Sequence, residues 1–143
     1  LTVPSVGQAA VAADYSCIPF QNAPEHIASL SMRYTLPLNN NLGELLLFSS
    51  INHQGKTYTS ATTSPLEDPT AWMDGFEVIN LSLEWNGIMG SNLDARAFVT
   101  NAADKTYKVS EYIGLSNSSG FTNSVYGEPR MYRMSLRYRF GAS

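Results

Sequence analysis

The sequence of 143 residues carries a formal net charge of −3 and is 43% hydrophobic, 11% aromatic and only 15% charged. That balance offers no bulk basic field to hold nucleic acid, and no run approaches the ~20 apolar residues of a membrane helix. A shortage of charge against the usual quarter points toward β-rich or membrane-facing chains, and a membrane β-barrel, whose strands need only ~9–11 residues, remains open.

Residues 1–26 show no periodicity and are punctuated by Pro4, Gly7, Pro19, Asn22 and Pro24. They read as a loop or extracellular segment with little regular structure. The first residue is Leu1, and no basic region precedes Ala9-Ala10-Val11-Ala12-Ala13, so this is not an intact signal peptide. Processing removed the beginning, or the chain is the tail of something longer. Cys17, the single cysteine, reads either as a free thiol or as half of a disulfide whose partner lies upstream.

Residues 28–36 alternate cleanly, with Leu30, Met32, Tyr34 and Leu36 opposed to Ser29, Ser31, Arg33 and Thr35. A period of two is the period of a strand. Pro37 through Gly43, with three consecutive asparagines, is a tight turn. Residues 44–53 are strand-like but ambiguous in face, because Leu45, Leu46, Leu47 and Phe48 are all apolar. Residues 54–74 read as a long polar loop. Residues 76–85 alternate again, with Ile79, Leu81, Leu83 and Trp85 on one face, and a short turn with two glycines follows over 86–92. Residues 93–100 form a weaker strand, and 104–129 a second long loop. The last strand places Tyr132, Met134, Leu136, Tyr138 and Phe140 against Arg133, Ser135, Arg137 and Arg139. Residues 141–143 are a short tail.

Five strands joined by short, long, short and long connections define an all-β antiparallel meander over 27–140. Outer-membrane barrels have short periplasmic turns and long extracellular loops. The last strand then runs toward the periplasm, with Trp85, Tyr138 and Phe140 at a periplasmic aromatic girdle. Alternation alone also describes a soluble secreted β-sandwich acting as a binding module.

The run Phe76-Glu77-Val78-Ile79-Asn80-Leu81-Ser82-Leu83-Glu84-Trp85 is followed by Asn101-Ala102-Ala103-Asp104-Lys105-Thr106-Tyr107, then Gly127-Glu128-Pro129-Arg130 and a closing alternating strand that ends in an aromatic. This order resembles the C-terminal part of the β-barrel of a TonB-dependent outer-membrane receptor, specifically over 76–140 and loosely over 27–60. Such receptors usually end on the terminal aromatic, whereas Gly141-Ala142-Ser143 follows Phe140 here. The resemblance implies a barrel of 22 strands around a plug, so five strands would be a C-terminal fragment lacking the plug and the segment that engages TonB. It implies transport of a scarce, bulky nutrient of the siderophore, cobalamin or glycan class, driven through TonB, in a Gram-negative-type outer membrane. Its partners would be outer-membrane lipid, the plug domain and the remaining barrel strands. It also makes Tyr132, Met134, Leu136, Tyr138 and Phe140 the face read during barrel assembly. A small outer-membrane barrel or adhesin piece assembled from several copies is a third reading.

Within this picture Arg33, Arg133, Arg137 and Arg139 face the lumen, with Arg137 and Arg139 placed to contact a plug. Facing lipid would cost about 2–4 kcal/mol each at the midplane. Tyr58, Trp72, Tyr112, Phe121 and Tyr126, together with Tyr107, lie in the long loops, where aromatics suit capture of a ligand or loop packing. Asn101 and Asp104 read as residues that satisfy backbone groups where a strand leaves the sheet. His26 and His53 are distant in sequence, with no Cys or carboxylate at ligand spacing, so no zinc site is expected. Asn52-His53-Gln54-Gly55-Lys56-Thr57 ends like a phosphate loop, but Ser50 stands where the first glycine belongs. The sequons at Asn80 and Asn117 change nothing. No Ser/His/Asp arrangement stands out, and neither an enzyme nor a cofactor is expected.

Overall fold

The computed structural model describes residues 18–60, 71–113 and 121–141. Cys17, the Asn117 sequon and most of the tail lie outside them. The strands are β1 (Ile27–Leu36), β2 (Glu44–Gln54), β3 (Thr57–Tyr58), β4 (Trp72–Met73), β5 (Phe76–Asn86), β6 (Leu93–Thr100), β7 (Lys108–Ile113), β8 (Thr122–Tyr126) and β9 (Met131–Tyr138). Five of them form one antiparallel sheet in the order β1-β2-β5-β6-β9, a meander in which sequential long strands pair. This is the all-β architecture read from the sequence.

The register settles the faces. Rows across the sheet read Leu36, Leu45, Trp85, Ala95, Leu136; then Tyr34, Leu47, Leu83, Ala97, Met134; then Met32, Ser49, Leu81, Val99, Tyr132. Directly opposed residues share a face, so one side of the sheet is apolar in every strand. The ambiguity at residues 45–48 resolves by pairing: Leu47 lies opposite Tyr34 and Leu83, and Phe48 opposite Arg33 and Ser82. Leu46 and Phe48 therefore belong to the polar side.

Neither side is covered. Leu30, Met32, Met134 and Leu136 are exposed on the apolar side, and Phe48 is exposed on the other. A sandwich requires a second sheet about 10 Å away. Among the described residues there is none, since the two remaining sheets are the two-stranded pairs β3-β4 and β7-β8. These pairs lie inside the long connections. The stretch 104–129, expected as loop, thus contains a hairpin, and 54–74 contains a short paired base. Residues 22–25, just before β1, pair with the 56–58 stretch. Pro24 bridges Thr57, the Glu25 N–H donates to Lys56 O at 3.0 Å, and the Asn22 N–H donates to Tyr58 O at 2.7 Å.

The final strand stops at Tyr138 and does not reach Phe140. The ladder continues by one bond, Arg139 N–H to Asn92 O at 3.0 Å, and the Phe140 ring stands edge-on to Tyr138 with centroids 4.6 Å apart. At the short-turn end, Gly43 adopts φ 88°, and a Cβ there would lie 2.3 Å from Asn86 O. Beside it, the Trp85 indole N–H donates to Leu42 O at 2.8 Å. The two short turns thus pack backbone against backbone.

Candidate functional site

The polar side of the sheet carries the expected arginines. Arg133, Arg137 and Arg33 occupy register positions opposite Phe98, Asp94 and Phe48, on the side away from the apolar rows. Arg133 stacks on the Phe98 ring at 5.6 Å, which lets a guanidinium stay wet on one side and packed on the other. Arg139 donates to Asp94 Oδ1 at 2.9 Å, and the same oxygen accepts the Gly87 N–H at 2.9 Å. Arg96 pairs with Glu84 at 2.9 Å on the same face. Among the described residues Arg33 and Arg137 form no ion pair, so their charge is available to whatever lies opposite this face.

At the long-loop end two buried knots close the strands. The first surrounds Asn101, fully buried with φ 49°. Its Nδ2 donates to Lys105 O at 2.8 Å and Glu128 O at 3.1 Å, and its Oδ1 accepts the Lys105 N–H at 3.0 Å. Its own N–H donates to Asn80 Oδ1 at 3.1 Å. Asp104, φ 54°, pairs with Arg130 at 3.1 Å. Tyr107 lies across Gly127, where a Cβ would come within 2.1 Å of the ring, so only glycine admits the approach. The two short motifs over 101–107 and 127–130 therefore form one assembly that ties β6 to β9, as the reading of Asn101 and Asp104 as backbone partners anticipates.

The second knot corrects an expectation. Tyr58, proposed as a ligand-contacting aromatic, is fully buried, packed against Ala71 with Ile18 and Trp72 beside it. Burial removes its ring from any extracellular ligand. Its neighbour Trp72 is half-buried, with ring centroids 5.2 Å apart. Trp72, Phe76, Tyr107, Lys105, Lys108 and Tyr126 line a cleft of about 280 Å³ between the bases of the two long connections. Tyr112, Phe121 and Tyr126 are exposed. The structure brings Trp72 and Tyr126 to one cleft and leaves Tyr112 and Phe121 outside it. Lys108 forms an ion pair with Glu111. That hydrogen bond raises the lysine above its ordinary value, against a smaller opposing effect of burial.

The fold also brings the two histidines together. His26 and His53, distant in sequence, are brought together by the pairing of the β1 lead-in with β2. Their Nε2 atoms lie 2.9 Å apart and their rings stack at 15°, with centroids 5.0 Å apart. His53 Nδ1 lies 3.1 Å from Glu77 Oε1. The signal was register: His53 and Glu77 are directly opposed in the β2–β5 ladder.

No protein-family model matches the sequence, and no curated protein matches it. Among solved structures, the sheet is similar to part of P. aeruginosa FpvA in a complex with a heterologous pyoverdine and iron. The TM-score is 0.55 and the identity 22%, over 80% of this chain. The chain corresponds to about 14% of the length of that protein. The likeness establishes the fold, a portion of antiparallel sheet of the kind that protein contains.

Proposed function

We propose that this chain forms part of the wall of an outer-membrane β-barrel in a TonB-dependent transporter, a receptor and not an enzyme. The apolar side faces lipid and the arginine side faces the lumen. The observation that carries this reading is the apolar face, which runs from β1 to β9 with Ser49 as its one polar interruption in those rows and with most of its large side chains exposed, opposite a charged face in the same single layer. Lipid on one side and water or a plug on the other supply the two environments. Both outer edges, on β1 and β9, are unpaired among the described residues, and hydrocarbon tolerates no open edge. Further strands complete the wall. The motif resemblance and the fold likeness support the same class.

The cargo is a scarce, bulky nutrient of the siderophore, cobalamin or glycan class, met first at the long-loop end, where the Trp72–Tyr126 cleft and the exposed Tyr112 and Phe121 lie. TonB drives passage through a plug, and Arg33 and Arg137 hold plug carboxylates or lumenal water. The test uses single-tryptophan variants in bilayers containing brominated lipid. Trp85 fluorescence is quenched at interfacial depth, whereas Trp72 fluorescence is not. A monomer that folds cooperatively in detergent-free buffer, with neither tryptophan quenched on adding lipid, would overturn the reading. Uptake of ferric siderophores, cobalamin and oligosaccharides, with and without TonB, then assigns the cargo.

A further inference from the structure

We propose that His26 and His53 form a binding site for a late first-row divalent metal, Cu²⁺ foremost, at the long-loop rim of the apolar face. The two imidazoles are placed by backbone and not by chance contact of long side chains. The Gly55 N–H donates to His26 O at 2.8 Å, and the Glu25 N–H and the Pro24 bridge continue that zipper. The absence of a side chain at Gly55 makes room for the ring, since a Cβ there would lie 2.8 Å from His26 Cε1. His53 is held from its other side by Glu77.

The protonation pattern follows from the partners. A carboxylate only accepts, so His53 Nδ1 carries the proton and His53 Nε2 presents its lone pair toward His26. His26 then donates from Nε2 at 2.9 Å. A metal takes the place of that shared proton: His26 moves its proton from Nε2 to Nδ1, both Nε2 lone pairs become ligands, no proton is released, and the site gains the two positive charges of the ion. Glu77 is not a ligand in this arrangement. It occupies the place behind the liganding ring where a carboxylate fixes the tautomer and raises ligand basicity.

The affinity order selects the metal. The 2.9 Å separation is that of a hydrogen bond between the two rings, so an ion enters by parting them. Imidazole nitrogen suits the late first-row divalent ions, and Cu²⁺ stands highest in their affinity order. Among the described residues no three His, Cys, Asp or Glu side chains converge as a complete ligand set. The protein therefore supplies two ligands, and water or an external anion supplies the rest. The site is an open one, on the outward face beside Ala28, and bound metal would cross-link the lead-in to β1 with β2.

The test is titration, in detergent micelles, of the whole barrel protein that carries this chain with CuCl₂ and with ZnCl₂, in a Cys17→Ser background that removes the thiol as a competing ligand. Calorimetry and electron paramagnetic resonance are the readouts. One equivalent of Cu²⁺ binds with nitrogen couplings from two imidazoles, more tightly than Zn²⁺. His26→Ala and His53→Ala each abolish stoichiometric binding. Glu77→Gln, which keeps both ligands, weakens it about 10- to 100-fold with circular dichroism unchanged, which separates lost ligation from lost folding. Binding that survives either histidine substitution, tighter binding of Zn²⁺, or a spectrum without imidazole nitrogen overturns the proposal.

Discussion

The sheet and the knots at its long-loop end are stabilised in opposite ways. In the sheet most large side chains of the apolar face remain exposed, and those of the other face meet only a few partners such as Arg96–Glu84 and Arg139–Asp94. In the knots Tyr58, Ala71 and Asn101 are fully buried and their environment is built from the chain itself. The sheet depends on what surrounds it, and in the proposed barrel wall its side-chain energetics are those of a lipid or lumenal boundary. The knots depend on local packing and hydrogen bonding wherever the molecule is placed. One substitution in each region should therefore respond differently to detergent and lipid.

The largest effect is expected at Tyr58. Tyr58→Ala removes the aromatic centre of the 55–75 connection, at a cost of about 3–5 kcal/mol by analogy with other large aromatic truncations. Hydrogen exchange and protease nicking in that connection should rise, with the same magnitude in detergent and in lipid. A change in ligand affinity without loss of protection would show Tyr58 to be a binding residue instead. Leu83→Arg on the apolar face should cost about 2–4 kcal/mol at the bilayer midplane, whereas the neighbouring Ser82→Arg should cost little. Folding titrations into bilayers measure both, and equal costs would erase the distinction between the two faces. Asn101→Ala leaves the Lys105 and Glu128 backbone groups without their partner, at about 1–3 kcal/mol. Faster exchange should be confined to 101–107 and 127–130; a global shift would mean that the knot is coupled to the whole sheet.

The smallest effect concerns pH. Because its pairing with Glu111 raises the Lys108 value above 10.5, the ion pair stabilises the β7–β8 hairpin fully below that pH. The contribution fades as pH rises through the elevated value. Exchange in 108–113 should quicken there in the parent and show no such step in Lys108→Met.

The long strands other than β2 were legible because each carries its own alternation, and the alternating residues Tyr132, Met134, Leu136 and Tyr138 fixed the apolar face of the sheet by pairing. Leu46 and Phe48 could not be assigned alone, since four consecutive apolar residues carry no period. The β7–β8 hairpin was hidden for the opposite reason. Val109, Glu111 and Ile113 alternate with Lys108, Ser110 and Tyr112, so neither side of the strand is uniformly apolar or polar. Tyr58 was misjudged because a loop aromatic looks the same in sequence whether it faces solvent or anchors the loop. His26, His53 and Glu77 meet only through strand register, which residue spacing along one chain does not display.

The contact at Gly43 has a consequence for geometry at larger scale. A one-residue slip between neighbouring strands would turn every apolar-face side chain to the polar face, and a two-residue slip would preserve the faces while changing the stagger. Strand number and stagger together fix a closed sheet's radius and tilt. With Gly43 lodged against the backbone of Asn86 and Gly87, the turn contact adds to the ladder in holding β2 at its offset against β5. In the proposed barrel, a side chain at position 43 would press those strands toward a new offset, and the wall would close to a different circumference.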